Sequence, residues 1–369
     1  MNSQLKIAIY TGKGASHSWI WLVETLARYG FKNIQFTSDI SDVNIDLLVV
    51  SGGDPFAIFS HIRKQGVSRI RKFIEKGGTY IGICAGAYFA LKFHDDPSPW
   101  LNLVEGEISN LSGNPPPNIR LPYKYTVPYK DQVVFHPVRD EVVLQYKGTT
   151  LTAPLYGGPA ITAADAVPLA SYKKFTKKTQ FLCNEKAASE VLLHTSALVF
   201  RKFKKGQLLL FGPHFEHPHF LQANHELVEM LSQVQTHHYP PDISGSPAEG
   251  FEKRAWLRDT KRWVSNGRLA AFGLERHYWK IGEKIYDPER LAYFFETCFH
   301  LIKRLEREEQ IFILKGIPED AKTLALRTRT LGADVHDAEI LLEGLKKVTS
   351  DLYSLYFSTL LQPQLHQTL

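Results

Sequence analysis

The chain has 369 residues, a net charge of +6 and a hydrophobic fraction of 44%, which suits a folded protein with room for two domains of ~150 residues each. It contains no uncharged apolar stretch of the ~20 residues that a membrane-spanning helix needs, and its three cysteines are too few for a disulfide framework. We therefore expect a cytoplasmic protein without a membrane partner. Its basic runs, 172–178 and 201–206, are short and accompany no nucleic-acid motif, so no specific nucleic-acid binding is expected.

The first 95 residues alternate between strand and helix signals. Alternation of this kind predicts an α/β fold with a parallel sheet and helices on both of its faces. The helix over 56–78 is predicted to break at Gly66, because glycine is a poor helix former. Strand signals occupy 5–10, 32–37, 45–53 and 79–83, and helix signals occupy 16–30, 56–78 and 85–93.

The pattern changes from residue 96 onward. Residues 96–160 are rich in Pro, Gly and Asn, which indicates an insertion of loops and antiparallel strands. Such an insertion could cover a site on the sheet or leave it open. Strand signals return at 166–172, 190–203 and 206–214, and a helix signal follows at 218–235.

A linker divides the chain into two predicted domains. The Pro-, Gly- and Ser-rich segment 237–250 separates a domain over 1–236 from an almost wholly helical region over 251–369. Three roles stay open for the helical region: regulation, self-association and binding of a protein partner through an exposed apolar stripe. Its aromatic residues are expected to pack in its core or between domains; they are Trp256, Trp263, Trp279, Tyr293, Phe294 and Phe295.

Cys84 is the first candidate for a catalytic residue. It stands in the sequence Gly82-Ile83-Cys84-Ala85-Gly86, after a strand signal and before a helix signal. A nucleophile at a sharp strand-to-helix turn needs small neighbours, and the helix N-terminus behind it favours the thiolate. The competing interpretation is an inert cysteine packed in the core, which is the expectation for Cys183 and Cys298.

A cysteine nucleophile also needs a base, and the base needs an orienting group. His214 follows the strand signal 206–211 and a Gly-Pro pair, and Glu216 lies two residues further on. Both are thus predicted at the carboxyl edge of the sheet, where α/β proteins bind their ligands. Three more histidines lie nearby in the sequence, so composition alone does not select His214; they are His217, His219 and His225.

Donors for an oxyanion are predicted from backbone amides at the same edge. Gly52 and Gly53 follow a strand signal, and Ala85 follows the candidate nucleophile. Glycine allows close approach of the backbone to a substrate oxygen. The expected pocket lining adds Lys13, Gly157 and Gly158, while no metal ligand set and no cofactor motif is found.

These segments resemble a known group of proteins. "GICAGA", "SGGD" and "GPHFEH" are similar to class I glutamine amidotransferase-like domains, and residues 5–235 resemble the N-terminal domain of fungal-type biotin–protein ligases. The resemblance implies a flavodoxin-like sheet, with Cys84, His214 and Glu216 as a catalytic triad and Gly52 and Gly53 as oxyanion donors.

Two hypotheses about function follow. The first is a cysteine-dependent amidase or hydrolase that acts on a small amide or related carbonyl compound. The second is a non-catalytic module that keeps the fold and binds a metabolite or a protein. Biotin ligase activity is not expected, because the chain lacks the Gly- and Arg-rich adenylate-binding loop that biotin ligases carry in a separate domain; 265–273 is the nearest stretch.

Overall fold

The computed structural model describes residues 4–40, 44–92, 100–237, 239, 241–274 and 276–365. Parts of three predicted segments lie outside the described residues: Phe93 of the helix over 85–93, residues 96–99 of the insertion, and residues 238 and 240 of the linker. The chain forms two compact units. The first comprises Met1–Phe31, Thr37–His237 and Gly282–Lys284, and the second comprises Lys32–Phe36, His238–Ile281 and Ile285–Leu369.

Strands and helices alternate from the start of the chain, as the sequence predicts, and an almost purely β region follows. In chain order to residue 237 they are β1 (Ile7–Tyr10), α1 (Ser18–Arg28), β2 (Ile34–Thr37), β3 (Leu47–Val50), α2 (Pro55–Glu75), β4 (Thr79–Ile83), α3 (Ala85–Ala90), β5 (Leu91–Lys92), β6 (Val104–Ile108), β7 (Leu111–Ser112), α4 (Pro122–Tyr125), β8 (Thr126–Tyr129), β9 (Gln132–Phe135), β10 (Val138–Tyr146), β11 (Thr149–Leu155), β12 (Ile161–Ala163), β13 (Val167–Phe175), β14 (Gln180–Phe181), α5 (Glu185–Leu192), β15 (Ser196–Phe203), β16 (Gly206–Phe211) and α6 (Leu221–Ser232).

The central sheet of the first unit has a parallel part and an antiparallel part. Its strand order is β11-β10-β13-β15-β16-β4-β3-β1. β1, β3, β4 and β16 run parallel to one another, whereas β16, β15, β13, β10 and β11 are joined by antiparallel pairs. The parallel strands are almost completely buried, as expected of a sheet with covered faces. The fold is thus mixed α/β, and the parallel sheet is confirmed for its first part.

The predicted insertion is built of antiparallel strands and loops where it is described. β7, β9 and β8 form a small antiparallel sheet, and β10 pairs with β11. This part of the prediction is confirmed. The strands bring side chains of the insertion to the site described below.

Two predicted elements differ from the observed ones. The break in α2 lies at Arg63, with a φ of 56°, and not at Gly66, where a side chain would collide with Ile62. The strand signal over 190–203 divides into the end of α5 and β15. The side chain of Asn184 accepts a hydrogen bond from the amide of Ala187 at 2.7 Å, and this N-cap starts a helix that the apolar run did not indicate.

From residue 238 onward, the described part of the chain is mainly helical and contains four short strands. Ser246–Ala248 lies within the segment predicted as a linker and pairs with Ile311–Ile313. Trp256, Trp279, Phe294 and Phe295 are buried. No helix in the described part of the chain is long and apolar enough to cross a membrane. From residue 238 onward the elements are β17 (Ser246–Ala248), α7 (Gly250–Phe272), β18 (Trp279–Ile281), β19 (Lys284–Tyr286), α8 (Pro288–Leu305), β20 (Ile311–Ile313), α9 (Ile317–Thr330) and α10 (Val335–Leu365).

Candidate active site

Cys84 occupies a strained turn between β4 and α3. Its φ of 51° and ψ of −104° lie in a region that residues other than glycine rarely adopt. The backbone N–H of Cys84 donates to the carbonyl oxygen of Phe211 at 2.8 Å. A Cβ atom on Gly86 would stand 1.9 Å from the carbonyl oxygen of Val50. The small residues around Cys84 therefore let α3 start directly against the neighbouring strand.

His214 and Glu216 lie at the same edge of the sheet as Cys84. β16 runs parallel to β4, and Phe211 pairs with Ile83, so the chain leaves both strands in the same direction. The amide of His214 donates to the carbonyl of Pro154 at 2.9 Å. The Thr25 hydroxyl donates to the carbonyl of Glu216 at 2.9 Å. These bonds fix the segment that carries the two side chains.

The side chains of His214 and Glu216 form a buried pair. Nδ1 of His214 lies 2.7 Å from Oε1 of Glu216, and the two residues are 3% and 0% exposed. Asn224 holds the loop around them, because its Nδ2 donates to the carbonyl oxygens of Phe215 and His217 at 2.7 and 3.0 Å. Trp21 packs edge-on against the imidazole, with ring centroids 5.5 Å apart.

The thiol of Cys84 and the imidazole of His214 shift each other's pKa. Burial raises the pKa of Cys84, but a hydrogen bond to His214 and the charges of His214 and Lys284 outweigh it, and the net direction is downward. Burial lowers the pKa of His214, whereas Glu216 and Cys84 raise it to about 9. Both shifts favour a thiolate beside an imidazolium.

Two buried residues at the Cys84 cavity have backbone amides of interest. Gly53 and Ala85 both line the cavity around Cys84. In the described part of the chain, their N–H groups donate to no protein acceptor. Buried N–H groups are nearly always hydrogen-bonded in folded proteins, so these two groups are free to donate hydrogen bonds. Gly52 does not line the cavity; it packs where a Cβ would stand 2.9 Å from Cε1 of His214.

A row of serine hydroxyls lies behind Glu216, and no motif in the sequence marked it. The Ser51 hydroxyl donates to Oε1 of Glu216 at 3.3 Å. Ser51 Oγ is 2.9 Å from Ser18 Oγ, which is 3.0 Å from Ser16 Oγ. All three serines are buried. A possible signal was their position, because each follows the end of β1 or β3, at the edge where Cys84 lies.

The cavity around Cys84 is small and mostly apolar. Its volume is about 40 Å³, which is room for one or two water molecules. The insertion contributes Val127, Tyr129, Val134 and His136 to its walls, so the insertion covers this side of the site. Burial and the charges of Lys284 and Arg139 lower the pKa of His136 to about 3, which leaves this imidazole neutral.

The predicted lining residues are only partly found at the cavity. Gly157 lines it. Gly158 does not, because it packs against the backbone of Gly212, whose carbonyl oxygen would be 1.9 Å from an added Cβ. Lys13 is also absent from the walls, and its carbonyl oxygen accepts a hydrogen bond from the Tyr10 hydroxyl at 2.8 Å. Lys284 supplies the cation at the cavity instead, and no motif marked it in the sequence.

The remaining reactive groups lie apart from this site. Cys183 and Cys298 are buried, and burial raises the pKa of each thiol. His225, Glu226 and Glu229 could together approach a metal ion. Lys147 Nζ, however, lies 3.1 Å from a carboxylate oxygen of each glutamate, so the charge of these carboxylates is already paired.

Comparison with known proteins gives a partial assignment. Residues 5–95 match a family model described as "Biotin-protein ligase, N terminal", which confirms the resemblance to that domain over this range. The matched range holds Cys84, Gly52, Gly53 and Ala85, whereas His214 and Glu216 lie beyond it.

The matches to individual relatives cover only part of this chain or only part of the relative. An uncharacterized protein from Chlamydia muridarum (strain MoPn / Nigg) is 33% identical over 100 residues, which are 24% of this chain and 38% of that protein. The match thus spans well under half of the relative's length. Among solved structures, this chain is similar to Gan42B, a GH42 β-galactosidase from G. stearothermophilus. The sequences are 13% identical, the match covers 67% of this chain and 32% of that chain, and the TM-score is 0.37. PurLQS from Thermotoga maritima is similar at 14% identity, 61% of this chain, 99% of that chain and a TM-score of 0.36.

Proposed function

We propose that the protein is a cysteine-dependent amidase or hydrolase of the glutamine amidotransferase-like group. The observation that carries the proposal is the buried hydrogen bond between His214 and Glu216 at the sheet edge where Cys84 lies, with the charge of His214 lowering the pKa of the Cys84 thiol. Nucleophile, base and orienting group are the three parts that covalent catalysis by a thiol needs. The strand order β1-β3-β4-β16 further supports a flavodoxin-like sheet, which places such groups at its carboxyl edge.

In the first half of the reaction, the Cys84 thiolate attacks the carbonyl carbon of the substrate and forms a C–S bond. The carbonyl oxygen becomes an oxyanion, and the N–H groups of Gly53 and Ala85 stabilise it. The His214 imidazolium gives its proton to the leaving nitrogen as the C–N bond breaks. An amine leaves, and a thioester on Cys84 remains.

In the second half, water attacks the thioester carbonyl and gives a proton to the neutral His214. The C–S bond then breaks, the sulfur leaves as thiolate, and a carboxylic acid is released. His214 is again protonated beside the thiolate, which restores the starting state. Glu216 stabilises the charged imidazole throughout, because its carboxylate lies 2.7 Å from Nδ1. Every proton and bond in this cycle belongs to the chain, the substrate or water.

One observation favours the alternative of a non-catalytic binding module. The cavity of about 40 Å³ is far smaller than the ~300–1,000 Å³ of most ligand sites. A module of this kind would use Cys84 only as part of the cavity wall. It would keep its ligand when the sulfur is removed.

The test is hydrolysis of a panel of small amides and esters by the full chain and by Cys84→Ala and Cys84→Ser. Cys183→Ser is the matched control, since Cys183 is also a buried cysteine. We expect turnover in the wild type and the control, none in either Cys84 variant, and a transient acyl adduct on the Cys84 peptide by mass spectrometry. Turnover that survives Cys84→Ala, or unchanged ligand binding by a chain that never turns over, would reject the amidase in favour of the alternative.

A further inference from the structure

An open groove of about 420 Å³ lies beside the Cys84 cavity in the first unit. Asp140, Glu141, Lys178 and His217 line this outer groove, together with Tyr156. We propose that the outer groove binds the leaving-group side of the substrate, and that this leaving group is an amine that carries a positive charge. The proposal rests on the proposed function, because it assigns the part of the substrate beyond the scissile bond.

Tyr156 separates the two spaces. It lines both the cavity around Cys84 and the outer groove. A cavity of about 40 Å³ accommodates little more than the reacting carbonyl group. The rest of a substrate must therefore extend past a wall, and beyond Tyr156 there is open space roughly ten times as large.

Hydrogen bonds fix the backbone near Tyr156, whereas the position of its ring depends on neighbouring side chains. In its thiol form, Cys84 Sγ donates to the carbonyl oxygen of Tyr156 over 3.9 Å, and the next carbonyl, of Gly157, accepts from the Tyr88 hydroxyl at 3.1 Å. The ring is instead held by side chains, with the Arg139 guanidinium 4.9 Å from its centroid. Rotation of the ring would join the cavity and the groove while these backbone hydrogen bonds stay in place.

The outer groove lies on the same side of the Cys84 cavity as His214, the base. The Tyr156 ring is 5.7 Å from the His214 ring and 6.1 Å from the His217 ring, and His217 lines the groove. The amides of Gly53 and Ala85 line the inner cavity. Since His214 protonates the leaving nitrogen and the amides hold the acyl oxygen, the leaving group points into the groove.

The charges of the groove select a cation. Asp140 and Glu141 each add a carboxylate, and Lys178 Nζ is 3.9 Å from Glu141 with 80% of its side chain exposed. Burial and the charges of His214 and His219 lower the pKa of His217 to about 4, so His217 is neutral at pH 7. The lining thus carries two carboxylates against the one ammonium group of Lys178, whereas the Arg139 guanidinium lies at the Tyr156 ring, outside the lining. The lining therefore attracts an ammonium group more than a carboxylate.

The test measures the route to Cys84 with charged thiol reagents and needs no turnover. Methanethiosulfonates transfer a thioalkyl group to the thiolate and release methanesulfinate. We would compare the cationic trimethylammonium-ethyl and the anionic sulfonato-ethyl reagents at low salt, with rates corrected for their reaction with a free thiol. The ratio of the two rates cancels any change in the reactivity of Cys84. We expect the cationic reagent to react faster with the wild type.

Removal of either groove carboxylate should reduce this preference. For Asp140→Asn and for Glu141→Gln, we expect the cation-to-anion ratio to fall about threefold, because one charge acts on the two reagents in opposite directions. Glu190→Gln, which removes an exposed carboxylate of α5 outside both spaces, should leave the ratio unchanged. Equal ratios in the wild type and both groove variants would overturn the proposal.

Removal of the Tyr156 ring tests whether this side chain separates the cavity from the outer groove. Tyr156→Ala should accelerate labelling of Cys84 by N-benzylmaleimide about tenfold more than labelling by iodoacetamide, and Tyr156→Phe should change neither. Equal acceleration of both reagents would contradict the partition, and if Tyr156→Ala does not fold, the charge variants still decide. Amide turnover with no groove effect would reject this inference alone, while a groove effect without turnover would reject the proposed function and leave a cation-selective groove that holds no leaving group.

Discussion

The His214 imidazole and the Glu216 carboxylate are hydrogen-bonded over 2.7 Å in a part of the first unit that is closed to solvent. They are two residues apart in sequence and can face each other because the chain turns here: the amide of His217 donates to the carbonyl oxygen of His214 at 3.1 Å. The Glu216 charge raises the pKa of His214 against the opposing effect of burial. The pair therefore determines the state of the Cys84 sulfur.

Removal of the His214 ring should abolish the activation of Cys84. In His214→Ala, burial would no longer be opposed by the hydrogen bond that now lowers the pKa of Cys84. We expect the midpoint of iodoacetamide labelling to rise from below ~8.5, the value of a free thiol, to above it, and labelling at pH 7 to slow by at least about tenfold. Peptide mass spectrometry reads the rate, with Cys298, whose pKa burial raises to about 12, as the internal control. An unchanged midpoint would show that another group activates the thiol.

Replacement of the Glu216 charge should make stability respond differently to pH. The folded-state pKa of His214 is raised from 6.5 to about 9, so its contribution to the free energy of unfolding is fully present below pH 6.5 and is lost as pH rises through 9. Glu216→Gln keeps the shape and removes the charge. The difference in unfolding free energy between wild type and variant should hence be largest near pH 6 and decline toward pH 9.5. Urea titrations at several pH values measure it, and a difference that grows with pH would contradict the assignment.

Ser51 should act as a positioning residue through Glu216. Its hydroxyl donates to the same carboxylate oxygen that binds His214, so Ser51→Ala removes one bond to a buried charge and should cost about 1–3 kcal/mol of stability. The labelling midpoint of Cys84 should also move, which a purely structural role would not cause. Ser189→Ala, which removes the exposed bond to the Glu185 carbonyl, is the control. Loss of stability without a shift of the midpoint would limit Ser51 to a structural role.

Gly86 should tolerate no side chain. Gly86→Ala would force a Cβ to within 1.9 Å of the Val50 carbonyl oxygen, and we expect a loss of about 3 kcal/mol or more, as for overpacked core positions. Gly332→Ala meets no atom within 4 Å and should be close to neutral. Urea midpoints at pH 7 compare the two variants. Equal stability would mean that α3 can move away from β3.

The parts of the site that follow one another in sequence could be predicted. The small residues beside Cys84 mark a tight turn, and the Gly-Pro pair before His214 marks the end of a strand, because both are local properties of the backbone. The walls of the cavity could not be predicted. Tyr129 and His136 reach Cys84 through the pairing of strands in the insertion, and such pairing leaves no spacing that a single sequence reveals.

The fold shows the same division. Runs of apolar residues such as Leu47–Val50 indicate the buried parallel strands. The sequence does not reveal that β16 pairs with β4 on one side and with β15 on the other, or that β15 runs antiparallel to it. An apolar run also failed to separate the end of α5 from β15, since short apolar segments suit helices and strands equally. Asn184, which lies outside that run, caps the start of α5, and the helix continues into the run.

The pairing of Phe211 with Ile83 joins segments that are 128 residues apart. During synthesis, Cys84 leaves the ribosome long before the strand that carries the base exists. Until residues 206–216 have docked, the growing chain holds an ordinary cysteine with no imidazole beside it. The order of translation thus delays the pairing of thiol and imidazole until β16 has joined the sheet, and a prematurely terminated product would contain a Cys84 thiol without His214 beside it.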